Sequence, residues 1–301
     1  MIQHVDYLVL GLGGMGSSAL YHLSKRGLNV LGIEQFGAAH DRGSSHGETR
    51  FPGFRIPDGF EVTHEPEAGF LHVEQCVQTH LECAQAQGAT VCLNEQILGV
   101  KVSERSVEVK TDRQKITASS LIVTTGAWSS GCLSELQLPL EVVRKVLFWN
   151  PVREPVYNLE AGRGSFFFDM PEGEFYGFPS LEGATVKLAE HTGGETVSDP
   201  ADVDRSLHEN DVHRVSRFVE AVMPALDPQP MRHSVCMYTR TPDGHFIVDQ
   251  HPANQRVVYG AGFSGHGFKF ASVMGEILAD LATTGRTALP IEFLSAQRFN
   301  Q

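Results

Sequence analysis

Near its N-terminus the chain carries glycines at the spacing of loops that bind dinucleotide phosphates: Gly11, Gly13, Gly14 and Gly16 in GLGGMG. An apolar run that predicts a buried strand, Tyr7–Leu10, precedes them, and a predicted helix follows. Gly11 permits a tight turn, Gly13 lets a pyrophosphate approach the backbone, and Gly16 lets helix and strand pack closely. Free N–H groups at the helix start favour the anion. We therefore predict a dinucleotide site, with a purely structural glycine turn as the alternative.

The second predicted strand, Val30–Ile33, ends at an acidic residue, Glu34, roughly 20 residues beyond the glycines. A carboxylate at this place accepts hydrogen bonds from a ribose and disfavours a 2′-phosphate. The motif alone does not choose between NAD and FAD.

A second glycine-rich stretch, VVYGAGFSGHGFKFASVMGEILADL, bears on that choice. It predicts a short strand, a turn and a helix with an apolar stripe over 270–281, capped by Gly285. The helix dipole and Lys269 would stabilise the negative charge that a reduced flavin acquires at its pyrimidine edge. This favours FAD. The alternatives are an ordinary loop and, for His266, a helix-start residue that makes only a local hydrogen bond.

The cysteines do not form a recognisable framework. They are odd in number and show no C-x-x-C spacing: Cys76, Cys83, Cys92, Cys132 and Cys236. A disulfide scaffold or zinc site is not expected, and a reducing cytoplasm fits best. The histidines are scattered, so we predict no metal site. The place of Cys236, between a short apolar run and a turn, needs another explanation.

The composition is that of an ordinary globular protein, with 41% hydrophobic and 20% charged residues. A length of 301 residues predicts one large or two interleaved domains. With 36 acidic and 24 basic residues the net charge is −12, which argues against nucleic acid or an anionic membrane as a partner. No apolar run is long enough for a membrane helix, and no signal peptide is recognisable.

Between the two glycine-rich stretches, apolar spacing predicts a helix over 73–87, with Cys76 as a small core residue. Strands are predicted over 96–102, 107–111 and 121–125. The segment 142–238 predicts a sheet with one helix near 212–222. Its aromatic residues, Trp149 among them, fit either an aromatic pocket or plain core.

Several motifs, in the same order and over nearly the whole chain, resemble the monomeric sarcosine oxidase family, which includes N-methyltryptophan and pipecolate oxidases. They are GLGGMG, GSSHGETR, TTGAW, YGFPS, VCMYTRTPDGHFIVD and GFSGHGFKF. The resemblance implies an α/β fold: a Rossmann-like FAD domain of the glutathione-reductase-like type and an antiparallel substrate domain (α+β). It assigns 1–51, 72–141 and 243–301 to the FAD domain, and 52–71 and 142–242 to the substrate domain.

The resemblance also implies roles for individual residues. Cys236 would bond through its sulfur to the flavin 8α carbon, and Lys187 would stand where dioxygen is reduced. Lys269 would pair with the substrate carboxylate. The remaining implied site residues are Tyr176, His191, Tyr238, His266 and Arg50 in the active site, and Ser44, Ser45, Gly265 and again Arg50 at the cofactor. From pattern alone, Cys236 could be an inert buried thiol, and Lys187 a solvated strand residue between inward Val186 and Leu188.

The chain departs from the family pattern after HGETR, where Arg50 runs directly into Phe51-Pro52-Gly53. The family has several dozen residues there, including a second arginine for the substrate carboxylate; Arg55 does not take that role. The implied activity is a monomeric FAD-dependent oxidase of secondary amino acids that reduces O₂ to H₂O₂, with no general base assigned. A truncated, non-catalytic FAD-binding homologue is the alternative, and an NAD-linked dehydrogenase is disfavoured by the C-terminal motifs.

Overall fold

The computed structural model describes residues 7–10, 30–33 and 53–299. The chain divides into two compact units, Met1–Phe54 and Arg55–Gln301. In the first unit, β1 (Tyr7–Leu10) pairs in parallel with β2 (Val30–Ile33), as the apolar runs predicted. The glycine motif, Glu34, Ser44, Ser45 and Arg50 lie outside the described residues. The division into an FAD domain and a substrate domain stays a prediction.

The other elements that the structure describes lie in the second unit. Its strands are β3 (Ile97–Val102), β4 (Val107–Thr111), β5 (Lys115–Ala118), β6 (Leu121–Val123), β7 (Glu141–Pro151), β8 (Phe166–Met170), β9 (Gly173–Gly177), β10 (Thr185–Glu190), β11 (Glu195–Thr196), β12 (Arg232–Arg240), β13 (Ile247–Gln250) and β14 (Val257–Ala261). Its α-helices are α1 (Val73–Ala86), α2 (Ser129–Cys132), α3 (Glu209–Val222) and α4 (Ala271–Thr284). Short 3₁₀ helices cover Gly126–Trp128, Ser134–Leu136, Pro155–Tyr157, Leu159–Ala161, Pro200–Asp202, Phe268–Phe270, Glu292–Leu294 and Ala296–Phe299.

The six-stranded sheet of this unit is built around β7. Its segment VVRKVLFW is rich in β-branched and aromatic residues, which favour a strand. β12 pairs with one edge of β7, β10 and β11 pair with the other, and β9 and β8 follow beyond β10. All these pairs are antiparallel. Successive side chains therefore alternate between two faces, and residues directly opposite across a pair share a face.

Helix α3 covers one face of this sheet, which we call the helix face. Its apolar side chains Val215, Phe218, Val219 and Val222 are buried, and the Phe218 ring stacks on Phe175 at 4.4 Å. The helix begins three residues earlier than predicted. The reason is a capping box, in which the Asp211 carboxylate accepts the His208 backbone N–H.

Two smaller sheets complete the unit. The sheet β13–β14–β6 packs against Ile277, Leu278 and Leu281 of α4, which ends at Gly285 in the left-handed conformation (φ 73°), as predicted. The other sheet has the order β3–β4–β5, and its edge strand β5 was not predicted.

Helix α1 spans the predicted residues, but the expected core packing is absent. None of its residues is buried, and Cys76 is only half-buried rather than a core residue. The helical period of apolar residues thus identified the helix correctly but does not report what covers it.

Candidate active site

The register of the large sheet brings predicted site residues to one face. Cys236 of β12 lies directly opposite Lys145 of β7, and Tyr238 opposite Val143. On the other edge of β7, Lys187 lies opposite Trp149 and Ala189 opposite Leu147; Ala189 in turn lies opposite Tyr176 of β9. Lys145, Tyr176, Lys187, Cys236 and Tyr238 therefore project from the face away from α3, which we call the reactive face.

Cys236 is half-buried in the middle of β12. Burial raises the pKa of its thiol, and the positive charges of Lys145 and Lys187 oppose that shift. A thiol in this setting is inert unless a nearby cation stabilises the thiolate, and two cations are close enough to act on it.

Lys187 is half-buried, and its neighbours Val186 and Leu188 are fully buried on the helix face, as the alternation predicted. Its Nζ lies 5.5 Å from the centroid of the Trp149 ring and 5.6 Å from that of Phe178. Within the described ranges, no carboxylate forms an ion pair with it. A cation held between aromatic rings without a counter-ion is available to an electron-rich ligand.

The two tyrosines and His191 form an aromatic cluster. Tyr176 Oη lies 3.3 Å from Tyr238 Oη, and the His191 ring is centred 5.5 Å from that of Tyr238. Burial raises the pKa of both tyrosines, so both hold their protons. Burial also lowers the pKa of His191, and the charges of Lys145, His266 and Lys269 lower it further. His191 is thereby kept neutral at neutral pH.

The GFSGHG loop is fastened to β12. The Ser264 N–H donates to the Thr239 carbonyl at 2.9 Å, with Ser264 in the left-handed region (φ 50°). Gly265 also has positive φ (82°), and a Cβ there would lie 2.3 Å from the Tyr238 ring, so only glycine fits. His266 makes the local contact considered from sequence, its Nδ1 lying 3.2 Å from the Ser264 carbonyl, yet its ring is also 6.4 Å from His191.

Lys269 lies in the 3₁₀ helix Phe268–Phe270, one residue before the turn into α4, and is exposed. Its Nζ is 5.7 Å from the Phe270 ring, and its charge reaches His191. The structure thus brings Tyr176, Lys187, His191, Cys236, Tyr238 and His266 together, with Lys269 at the margin. The described part of the chain holds no group of three or more His, Cys, Asp or Glu residues suited to a metal. In the same part, no helix is long and apolar enough to cross a bilayer.

Lys145 was not predicted. Only 4% of its surface is exposed, and its Nζ donates to the Thr192 carbonyl at 2.6 Å. The same atom lies 5.5 Å from the Tyr238 ring centroid. Burial lowers its pKa to about 8. The available signal was two adjacent cations, Arg144 and Lys145, inside an otherwise apolar strand.

The reactive face fits a flavin ring. The isoalloxazine system is flat and largely apolar, and its pyrimidine edge becomes negative on reduction. The face offers the aromatic rings of Trp149 and Tyr176, a thiol, and two ammonium groups without carboxylate ion pairs among the described residues. This donor set suits a ligand that carries electron density and an attachment carbon.

Comparison with known proteins agrees with this chemistry. Residues 48–281 match the family model of FAD dependent oxidoreductases, DAO. The chain is 32% identical to "Monomeric sarcosine oxidase" from Bacillus sp. (strain NS-129), over 99% of this chain and 98% of the relative. It is 27% identical to "N-methyl-L-tryptophan oxidase" from Yersinia pestis (strain Pestoides F), over 98% and 99%.

The fold is shared with NikD, "an unusual amino acid oxidase essential for nikkomycin biosynthesis", at a TM-score of 0.61 and 19% identity, with 98% of each chain covered. The predicted fold class, an FAD-binding α/β protein with an antiparallel substrate sheet, is confirmed.

The alignment with the Bacillus relative also bears on the departure after Arg50. Its 379 positions exceed the 301 residues of this chain by 78, so at least that many positions face a gap here. The shortening is therefore real, and its location after Arg50 stays a prediction. These matches show the family: the chain belongs to the FAD dependent oxidoreductases related to monomeric sarcosine oxidase, and is an FAD-dependent amine oxidoreductase.

Proposed function

We propose that this protein oxidises secondary amino acids such as sarcosine or N-methyl-L-tryptophan, carries its FAD covalently on Cys236 and returns the electrons to dioxygen as H₂O₂. The observation that carries the proposal is the strand register, which projects Cys236, Lys187 and the two tyrosines from one face of the sheet. The names of the relatives supply the substrate class.

When bound, FAD would supply the acceptor for a hydride equivalent from the C–N carbon of the substrate, and the imine so formed would be hydrolysed by water. The protein's part is to bind and orient. We assign Lys269 to the substrate carboxylate, an attraction that would strengthen as substrate excludes water. His191, neutral at neutral pH, can accept a hydrogen bond from the substrate amine.

Lys187 is the residue we assign to dioxygen. A fixed positive charge is needed where O₂ gains an electron. The Lys187 ammonium provides this charge, and in the described ranges no carboxylate forms an ion pair with it. Tyr176 and Tyr238 keep their protons and act as hydrogen-bond donors at the same wall.

The shortened chain motivates the alternative function, a non-catalytic FAD-binding homologue. If the gap removes a second cation for the substrate carboxylate, Lys269 acts alone, and weaker binding or a shifted substrate follows. We further propose that the chain acts as a monomer on a small molecule, like the relative named monomeric.

The two functions are separated by three measurements on one preparation of the full chain. Intact mass spectrometry detects covalent FAD. Absorbance after anaerobic addition of sarcosine, N-methyl-L-tryptophan or pipecolate shows whether the amine reduces and bleaches the flavin. Assay of H₂O₂ after air is readmitted then measures reoxidation. We expect added mass, bleaching by at least one amine, and stoichiometric H₂O₂. Added mass without bleaching by any amine would favour the non-catalytic homologue, and the absence of flavin from folded protein would reject both.

A further inference from the structure

We propose that Lys145 is a positioning residue for covalent attachment: its amine, directly across β7–β12 from Cys236, takes up the thiol proton and holds the thiolate. The inference rests on the proposed attachment of FAD at Cys236. It concerns a residue that no motif singled out.

The geometry fixes the pair. Residues directly opposite in an antiparallel ladder have Cα atoms about 4.5–5.5 Å apart and side chains on the same face. Lys145 and Cys236 occupy such a position at the centre of the long β7–β12 ladder. Two backbone carbonyls hold the amine, Thr192 O at 2.6 Å and Gly193 O at 3.5 Å. Neither carbonyl carries a charge that could neutralise the Lys145 ammonium. In the described part of the chain, no carboxylate lies within ion-pair distance of Lys145.

A buried amine without an ion pair is costly to keep protonated, and this one is only 4% exposed. Burial lowers its pKa to about 8, the range in which an amine both accepts and holds a proton at physiological pH. Among the charges that oppose the effect of burial on the pKa of Cys236, that of Lys145 has the largest effect.

The other charged groups around the pair do not replace it. Toward Cys236, Lys187 on β10 and Arg205 in the loop before α3 add smaller effects, and the Arg205 guanidinium is engaged with the Val235 carbonyl at 2.9 Å. Toward Lys145, Glu190 favours the charged amine, whereas Arg240 and Arg214 oppose it. Tyr176 and Tyr238 face the pair as neutral phenols.

The attachment step balances with the reagents already proposed. One S–H bond of Cys236 and one C–H bond of the 8α-methyl group are replaced by a C–S bond, and two protons leave, the thiol proton to Lys145. The two electrons released remain on the flavin ring until dioxygen removes them as H₂O₂. Attachment first requires that Cys236 be a thiolate at neutral pH, and Lys145 promotes that ionisation.

The test measures the thiol itself. Full-length protein from riboflavin-limited cells is alkylated with iodoacetamide between pH 6 and 10, and each cysteine is followed by peptide mass spectrometry. We expect Lys145→Met to slow alkylation of Cys236 about tenfold at pH 7.5 and to move its pH midpoint upward, since the charge of Lys145 lowers the pKa of this thiol and a neighbouring opposite charge is worth about one pKa unit or more. Lys145→Arg keeps the charge that holds the thiolate but cannot take up the thiol proton. Because the buffer accepts that proton during alkylation, this variant should restore most of the alkylation rate. Exposed Cys83 and Cys132 are internal references that should not change.

FAD is then added in air, and covalent flavin is counted by acid precipitation; Lys145→Met should acquire it correspondingly slowly. An unchanged rate and midpoint for Cys236 in Lys145→Met would overturn the inference, as would a Lys145→Arg chain that is as slow as Lys145→Met. If Lys145→Met does not fold, Lys145→Gln carries the same comparison. Should the unaltered chain never acquire covalent flavin, the proposed attachment fails, and the alkylation profiles still decide the role of Lys145.

Discussion

Arg144 and Lys145 are neighbours in one strand and both are buried, yet they face opposite sides of the sheet and have different kinds of hydrogen-bond partner. On the helix face, the Arg144 guanidinium donates to both carboxylate oxygens of Asp211 at 3.0 Å and to the Asp204 carbonyl at 2.7 Å. On the reactive face, the only acceptors of Lys145 among the described residues are the neutral backbone carbonyls of Thr192 and Gly193. The two faces differ in the same sense elsewhere, with stacked phenylalanines on one and a thiol, tyrosines and Lys187 on the other.

The difference separates structural from chemical charge. A buried cation whose donors are all matched by a carboxylate and carbonyls fixes the fold, and its removal leaves an uncompensated partner. A buried cation with neutral partners keeps a perturbed pKa and can serve a ligand or a proton transfer. Substitutions on the helix face should therefore change stability, and substitutions on the reactive face should change flavin chemistry.

The largest expected effect is that of Cys236→Ser. Loss of the sulfur removes the attachment atom, so we expect complete loss of covalent flavin while the thermal unfolding midpoint of the flavin-free chain is nearly unchanged. Intact mass and the colour of acid-precipitated protein measure this, and Cys132→Ser, an exposed cysteine, is the matched control. Covalent flavin on Cys236→Ser would show that FAD is attached elsewhere and would exclude Cys236 as the attachment site.

Arg144→Met tests the helix face. Asp211 would lose its partner and part of its role in capping α3, and we expect a loss of about 3 kcal/mol in the free energy of unfolding. Urea unfolding measures the loss. The matched control is Arg153→Met, whose ion pair with Asp227 is at the surface and should be worth less than about 1 kcal/mol. Equal losses in the two variants would contradict the distinction.

Lys187→Met tests the assignment of dioxygen to the reactive face. We expect flavin reoxidation by air to slow by about 10²-fold, because the charge that stabilises the first electron on O₂ is gone. Anaerobic reduction by amine should change little, and stopped-flow absorbance follows both steps. Lys115→Met, an exposed lysine on β5, is the control. A Lys187→Met enzyme that reoxidises at the original rate would exclude this role.

The smallest effect concerns His191 and pH. Its pKa in the folded chain is below the ordinary value of 6.5, first because of burial. The unfolded chain then binds more protons as the pH falls below 6.5, so this group contributes a loss of stability from there downward through its folded pKa. We expect His191→Asn to flatten the fall in unfolding free energy between pH 7 and 5. His213→Asn, at an exposed position of α3, controls for the loss of a histidine, and an unaltered slope in His191→Asn would count against a buried neutral imidazole.

Local pattern was sufficient for most of the elements. Apolar runs placed β1 and β2, helical spacing placed α1 and α4, and Gly285 ends α4 as predicted. The alternation around Lys187 predicted its orientation, since neighbours in a strand must face opposite ways. Spaced glycines and the CMYT segment were enough to identify the family, because those motifs are contiguous in the chain.

What depends on distant contacts was not predictable. The aromatic residues illustrate this: Phe168 packs on Phe218 of α3, whereas the preceding residue, Phe167, has its ring centred 6.3 Å from that of His191 on the other face. Pattern also could not foresee that no residue of α1 would be buried.

By itself, the sequence determined the strands and helices, the cofactor class and which residues were candidates, because period, glycine placement and motif are properties of short segments. The tertiary structure alone decided that Cys236 stands opposite Lys145, that Arg144 is neutralised, and that six candidates from four segments meet. Strand register and burial depend on pairings that join residues more than a hundred positions apart, as Val257 and Leu121 are, and no local pattern encodes them.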